Sequence, residues 1–182
     1  MMPTVLAILA DGFEEIETVT PIDLLRRAGA EVTTAALGDG IHVTGRSGIT
    51  LHADTTLAAI TAAARDFDCV FLPGGPGVKH LRDDPRVRAI VLRQHAAQHW
   101  LAAICAAPTV LNDAGVLAGR RFTGHFSVAA ELPSLLAGER VVADGHLLTS
   151  RGAGTALDFS LLLVEKLFSA EKSLEIATSV CA

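Results

Sequence analysis

Cys105 is the residue of this chain best placed by its neighbours for covalent chemistry. It closes the apolar run Leu101-Ala102-Ala103-Ile104 and is followed at once by Ala106-Ala107-Pro108-Thr109-Val110-Leu111. That pattern predicts a strand, a one-residue corner and a helix start. A nucleophile on such a corner is exposed on a strained backbone, and only small neighbours leave room for the bend. The flanking alanines meet that demand. The helix that follows aims free N–H groups at the sulfur, which favours thiolate over thiol. Without chemistry, the same segment reads as a buried cysteine acting as a small hydrophobe.

A thiolate needs a proton-handling partner, and the candidates are Glu14, Glu15, Glu17 and His125. The three glutamates also read as a solvated helix start, where carboxylates suit the dipole. Glu17 stands apart because it lies three residues beyond Glu14 and can turn inward. Two close anions cannot both stay charged, so one must keep a proton. With the helix N-terminus favouring the sulfur anion, Glu17 is expected to carry that proton and donate it in a hydrogen bond. Gly74 and Gly75 offer unobstructed backbone N–H groups able to bind an oxyanion, although Pro73-Gly74-Gly75-Pro76-Gly77 serves equally well as a tight turn. His125, within Phe122-Thr123-Gly124-His125-Phe126 and expected just after another short strand, could polarise a carbonyl or shuttle a proton; the plain alternative is a surface loop histidine. His95 and His99 have the i, i+4 spacing of a metal pair. No third ligand is evident, so they read as a polar helix face. Cys69 reads as core and Cys181 as tail.

The elements that must position these groups alternate. Pro3–Ala10, Glu31–Leu37, Asp68–Leu72 and Leu101–Ile104 are short apolar runs with strand character. Between them, Glu15–Ala28 carries Ile16, Val19, Ile22 and Leu25 as one apolar stripe, with Pro21 expected to bend or interrupt it and Gly29 to end it. Pro85–Ala97 carries Val87, Ile90, Val91 and Gln94 at helical spacing. Thr155–Phe168 reads as a buried final helix. His42–Leu51 and Arg140–Ser150 break the alternation as β-hairpins, the second around Asp144-Gly145. The whole predicts an α/β protein, a three-layer sandwich with a mostly parallel central sheet, helices on both faces and small hairpin excursions. In such sheets ligands bind beyond the carboxyl ends of the strands. Asp11–Glu17, Pro73–Gly77 and Cys105 all follow strands, so the fold should gather them at one rim.

The chain has 182 residues, read as one domain spanning 1–182. Half its residues are apolar, Tyr is absent, and the net charge is −5. An aliphatic core follows, and neither nucleic acid nor anionic membrane is an expected partner. Three cysteines without paired or metal-type spacing suggest a reducing compartment. The amino-terminal segment lacks the basic start of a secretory signal, and no apolar stretch approaches the about 20 residues of a membrane helix. The expectation is a soluble, cytoplasmic protein.

Several ordered motifs resemble the ThiJ/PfpI superfamily, and within it the DJ-one branch of the Parkinson-associated protein deglycase and its bacterial relatives. They are Asp11-Gly12-Phe13-Glu14-Glu15-Ile16-Glu17-Thr18-Val19, Asp23-Leu24-Leu25-Arg26-Arg27-Ala28-Gly29, Leu72-Pro73-Gly74-Gly75, Ala103-Ile104-Cys105-Ala106-Ala107-Pro108, Thr123-Gly124-His125 and Leu148-Thr149-Ser150-Arg151-Gly152. The resemblance spans nearly the whole chain. It implies a flavodoxin-like homodimer with Cys105 as nucleophile, Glu17 as protonated acid/base partner and His125 in the pocket. Gly75 and Ala106 would supply backbone donors. Glu14, Arg27 and Arg46 match polar residues at the pocket and dimer interface, the two arginines reaching in from the partner subunit. Ala107, Phe126 and Ala153 depart from the family pattern, which has glycine at the first and prolines at the other two; Ala153 would line the pocket wall.

The resemblance also implies a cofactor-independent enzyme that acts on methylglyoxal or glyoxal, or on their adducts with protein side chains. An oxidative-stress sensor or redox-regulated chaperone working through Cys105 oxidation is the second reading. A cysteine peptidase or amidotransferase-like subunit is the third. Ala106 weakens it, because peptidase-type relatives place a histidine directly after the nucleophile.

Overall fold

Side chains along the first strand alternate between two cores, and that alternation organises the molecule. The computed structural model describes residues 2–182. In β1 (Thr4–Leu9), Leu6 and Ile8 face one apolar layer while Val5, Ala7 and Leu9 face the other. The same division recurs in β6 (Cys69–Leu72) and β7 (Trp100–Ile104). A strand buried on both faces needs apolar residues at every position, which is why these runs are continuous rather than alternating.

The main sheet has seven strands in the order β5-β2-β1-β6-β7-β9-β8, with β2 at Glu31–Ala36, β5 at Thr55–Thr56, β8 at Val141–Asp144 and β9 at Leu147–Ser150. Every neighbouring pair is parallel except β8 with β9. One face is covered by α1 (Glu15–Ala28), α6 (Ala156–Leu167) and α7 (Ala170–Ser179). The other is covered by α2 (Leu57–Ala63), α3 (Val78–Asp83), α4 (Pro85–Ala96) and α5 (Pro108–Asp113). The expected α/β sandwich is therefore present. Phe71 and Phe159 meet with ring centroids 5.8 Å apart beneath α6, and each fully buried ring of this kind contributes roughly 1.5–3 kcal/mol.

Four local expectations need correction. First, α1 runs unbroken through Pro21, which is buried against the rest of the fold. The ring removes one intrahelical hydrogen bond, but packing against α6 holds the helix together. Second, the stripe on α1 is not all core: Ile22 and Leu25 are buried, whereas Ile16 and Val19 are 54% and 45% exposed. Glu15, Glu17 and Thr18 take the inward positions instead. Third, α6 is not the final helix, because α7 follows it and buries Ile176. Fourth, the Arg140–Ser150 hairpin is no excursion. Its second strand pairs with β7 and extends the main sheet. The other hairpin, β3 (His42–Thr44) with β4 (Thr50–His52), does stand apart as its own two-stranded sheet.

Candidate active site

The loops after β1, β6 and β7 converge at the carboxyl rim of the sheet. Cys105 follows β7 directly and adopts φ of 65°, a left-handed conformation that a residue with a Cβ takes up at a cost. Two backbone hydrogen bonds hold it there. Its N–H donates to Ser150 O at 2.9 Å, and its carbonyl accepts from His125 N–H at 2.8 Å. Strands on one side and the 119–125 loop on the other thus fix the corner.

Glu17 reaches the same point from the first turn of α1 and is 1% exposed. The helix starts where it does because the Glu14 carboxylate accepts from Glu17 N–H at 2.7 Å, capping the free amides. The Glu17 carboxyl accepts from Gly74 N–H at 3.1 Å and shares a hydrogen bond with the Cys105 sulfur. Gly74 has to be glycine. A Cβ there would collide with Cys105 Cβ and Glu17 Oε2 and lie 3.0 Å from Cys105 Sγ. Gly75 is held at φ of 91°, and a Cβ on it would meet Gly12 O at 2.5 Å.

Burial pushes the Glu17 carboxyl up to about 7, the Glu14 charge adding to it and the Cys105 and Gly74 hydrogen bonds opposing it. Burial likewise pushes the Cys105 thiol up to about 12, with the charge and hydrogen bond of Glu17 raising it further and the N–H groups of Gly75 and Ala106 pulling it down. This corrects the simple picture of a thiol acidified by a helix terminus. With burial raising both groups and the Glu17 charge raising the thiol further, the two titrate as a coupled pair.

His125 begins a short 3-10 turn, Phe126–Val128, with no strand before it. The buried Thr123 satisfies its polar groups locally instead, its N–H donating to Thr149 Oγ1 at 2.9 Å and its hydroxyl to Leu136 O at 2.9 Å. His125 Nδ1 meets Ser127 Oγ at 2.8 Å and Ser127 N–H at 3.3 Å, contacts that orient the ring. Beyond His125 opens a cavity of about 360 Å³ whose wall includes Phe126, Arg140, Arg151, Gly152 and Ala153. Gly152 links it to the thiol site: a Cβ there would lie 3.4 Å from Glu17 Oε1 and 3.5 Å from His125 Cδ2.

The structure thus brings Cys105, Glu17, Glu14, Gly74, Gly75, Ala106, His125 and Ala153 together. Arg27 and Arg46 are not part of that cluster within this chain. Arg27 sits in the last turn of α1 and pairs with Asp23 at 2.9 Å. Arg46 lies exposed in the β3–β4 loop, its N–H donating to Phe13 O at 2.8 Å. Sequence reasoning passed over Gly152, Arg140 and the cavity they border; the Ser150-Arg151-Gly152 run was visible, but its nearness to Glu17 needed the fold. His95 and His99 do not form a metal pair. His95 Nδ1 meets His146 Nε2 at 3.0 Å instead. Among the described residues no group of three metal-ligating side chains converges.

The profile of the DJ-1/PfpI family matches residues 3–166. The chain belongs to the DJ-1/PfpI family. It is 41% identical over 181 residues to Protein dj-1beta of Drosophila melanogaster, an alignment covering 97% of this chain and 96% of the relative. The crystal structure of Drosophila melanogaster DJ-1beta superposes with a TM-score of 0.96 at 39% identity, covering 100% of this chain and 99% of the other. A Caenorhabditis elegans relative named glutathione-independent glyoxalase DJR-1.2 is 32% identical, covering 92% of this chain and 90% of its own. Cys105 and Glu17 both lie within the matched residues 3–166. No helix among the described residues is long and apolar enough to cross a membrane.

Proposed function

We propose that this protein is a cofactor-independent enzyme that converts methylglyoxal to lactate and glyoxal to glycolate through Cys105. The observation that carries the reading is the hydrogen-bonded Glu17–Cys105 pair beneath the Gly75 and Ala106 N–H groups. The thiolate attacks the aldehyde carbon, a C–S bond forms, and the carbonyl π pair moves onto oxygen, which takes a proton from Glu17. The resulting hemithioacetal loses its C1 proton to the Glu17 carboxylate, giving an enediolate whose C2 oxygen takes the proton of the C1 hydroxyl. Return of the proton held by Glu17 to C2 leaves a thioester, and water cleaves the C–S bond to release the hydroxy acid. Substrate plus one water equals product, so no redox cofactor enters. His125, oriented by Ser127 beside the thiol site, is suited to polarising the second carbonyl.

The same steps on early adducts of protein thiols and amines would be deglycation. The relative named a glutathione-independent glyoxalase supports the small-molecule reading. Steady-state consumption of methylglyoxal tests it: Cys105→Ser should lose all measurable turnover and Glu17→Gln at least a hundredfold, as for loss of a general acid/base, typically about 10²–10⁴-fold. Full activity in both variants would exclude the mechanism.

A second reading uses the same pair as a peroxide sensor. Cys105 is half-buried but reachable, and Glu17 with two N–H groups would hold the oxygens of a sulfinate formed by two equivalents of hydrogen peroxide. Selective gain of two oxygens at Cys105, seen by mass spectrometry, supports it; equal oxidation of Cys69, Cys105 and Cys181 counts against it.

The working form is a homodimer in the cytoplasm on this proposal, with exposed Ile16 and Val19 covered by the partner. Light scattering at twice the 19.0 kDa chain mass is the expected result, and a monomer would remove any role for Arg27 and Arg46 at the pocket.

A further inference from the structure

Arg151 stands out among the arginines near the thiol. Arg140, which shares the same cavity wall, is already committed: its Nε donates to Asp158 Oδ2 at 2.7 Å and its Nη2 to Gly154 O at 3.0 Å. The Arg151 backbone is tied down by its N–H bond to Arg140 O at 3.3 Å. Its guanidinium makes no ion pair or hydrogen bond among the described residues. No carboxylate lines the cavity, although the chain as a whole carries a net charge of −5. Neither Cys105 nor Glu17 lines that about 360 Å³ space, so a substrate held by the thiol must extend past His125 and Gly152 to enter it.

We infer that Arg151 is a specificity residue that pairs with a carboxylate on the substrate, so that the preferred substrates are α-oxoaldehydes carrying a terminal carboxylate. This rests on the dicarbonyl reading of Cys105 and deepens it. One uncommitted guanidinium matches one carboxylate through two parallel N–H donors, a geometry that lysine does not offer. His125 and Gly152 line the cavity, and Gly152 also borders Glu17, so the cavity that Arg151 lines adjoins the thiol site. The chemistry is unchanged: 4,5-dioxopentanoate plus water gives 2-hydroxyglutarate, by isomerisation and hydrolysis alone.

Two assays separate this inference from the reading beneath it. In the first, kcat/KM is measured for 4,5-dioxopentanoate and for neutral methylglyoxal. The wild-type ratio should favour the acid. In Arg151→Ala the ratio should fall roughly two- to fivefold, the range of a solvated ion pair, chiefly through KM for the acid. Arg151→Lys should fall between the two. In the second assay, which needs no turnover, Cys105 is alkylated with iodoacetate and with iodoacetamide, reagents of nearly equal shape that differ in charge. The iodoacetate-to-iodoacetamide rate ratio should drop in Arg151→Ala, and added salt should lower it in wild type only. An alkylation ratio unchanged by Arg151→Ala overturns the assignment. A turnover ratio that stays put while the alkylation ratio falls overturns the substrate claim. If wild type consumes neither aldehyde, the dicarbonyl reading fails, and the alkylation ratio still decides whether Arg151 reads charge at Cys105.

Discussion

The Glu17 carboxyl and the Cys105 sulfur share a hydrogen bond at the carboxyl rim of the sheet, packed so closely against Gly74 that a Cβ there would strike both residues. Glu17 raises the proton affinity of the sulfur, while burial raises that of the carboxyl against the pull of the Cys105 hydrogen bond. The pair is therefore a proton-storing unit rather than a thiol with a distant helper.

That coupling predicts the titration of the site. The proposed mechanism needs the shared proton on the carboxyl and the charge on sulfur, so thiolate absorbance at 240 nm should already be present in wild type at neutral pH. Burial and the Glu17 charge hold the thiol up, so only a proton kept on Glu17 makes that possible. Glu17→Gln removes one member, and the remaining thiol should titrate in a single step. A wild-type protein with no thiolate at pH 9 would place the shared proton on sulfur and end the case for a thiolate nucleophile.

The same shift has a stability consequence. Glu17 binds its proton more tightly in the folded state than at the ordinary value of 4.5, with a folded value of about 7. Its contribution is fully present below pH 4.5 and is lost as pH rises through 7. Glu17→Gln, which cannot ionise, should escape that loss. Chemical denaturation should find the variant roughly 1–3 kcal/mol more stable than wild type at pH 8 and close to it at pH 4. Equal stabilities at both pH values would contradict the raised carboxyl.

Gly74→Ala tests whether close backbone approach, rather than turn geometry alone, explains that glycine. The new methyl must displace Cys105 or Glu17. We expect a loss of roughly 1–3 kcal/mol in folding stability, the cost of an overpacked site, and methylglyoxal turnover reduced at least a hundredfold, in line with a misplaced catalytic group. A variant as stable and active as wild type would show that the site relaxes freely.

His146 supplies a pH dependence far from the thiol. It is buried in the β8–β9 turn against His95, at the opposite rim of the sheet. Burial holds its pKa below the usual 6.5, and the charges of His95 and Arg120 push the same way. The unfolded chain therefore takes up the proton first, and stability should fall as pH drops below 6.5. His146→Gln should flatten that decline in thermal melts between pH 7 and pH 5. An unaltered slope would mean that other groups set it.

By itself the sequence determined the layered α/β architecture, because continuous apolar runs at β1, β6 and β7 can be buried only between two helical layers. It also singled out Cys105, since a cysteine between a strand run and a Pro-started helix has few conformations open to it. Glu17 was legible through its place in the first turn, though its burial was not: Ile16 and Val19 looked like the core face and turned out exposed. Local pattern cannot tell which side of a helix meets the sheet when a glutamate is drawn inward by a sulfur and a Gly74 amide from other loops. Only the tertiary structure joined Arg151 and His125 in one cavity, separated Arg27 from it, and set His95 against His146 rather than His99. Those relations depend on where distant strands lie side by side, a matter of sheet order that spacing along the chain does not encode.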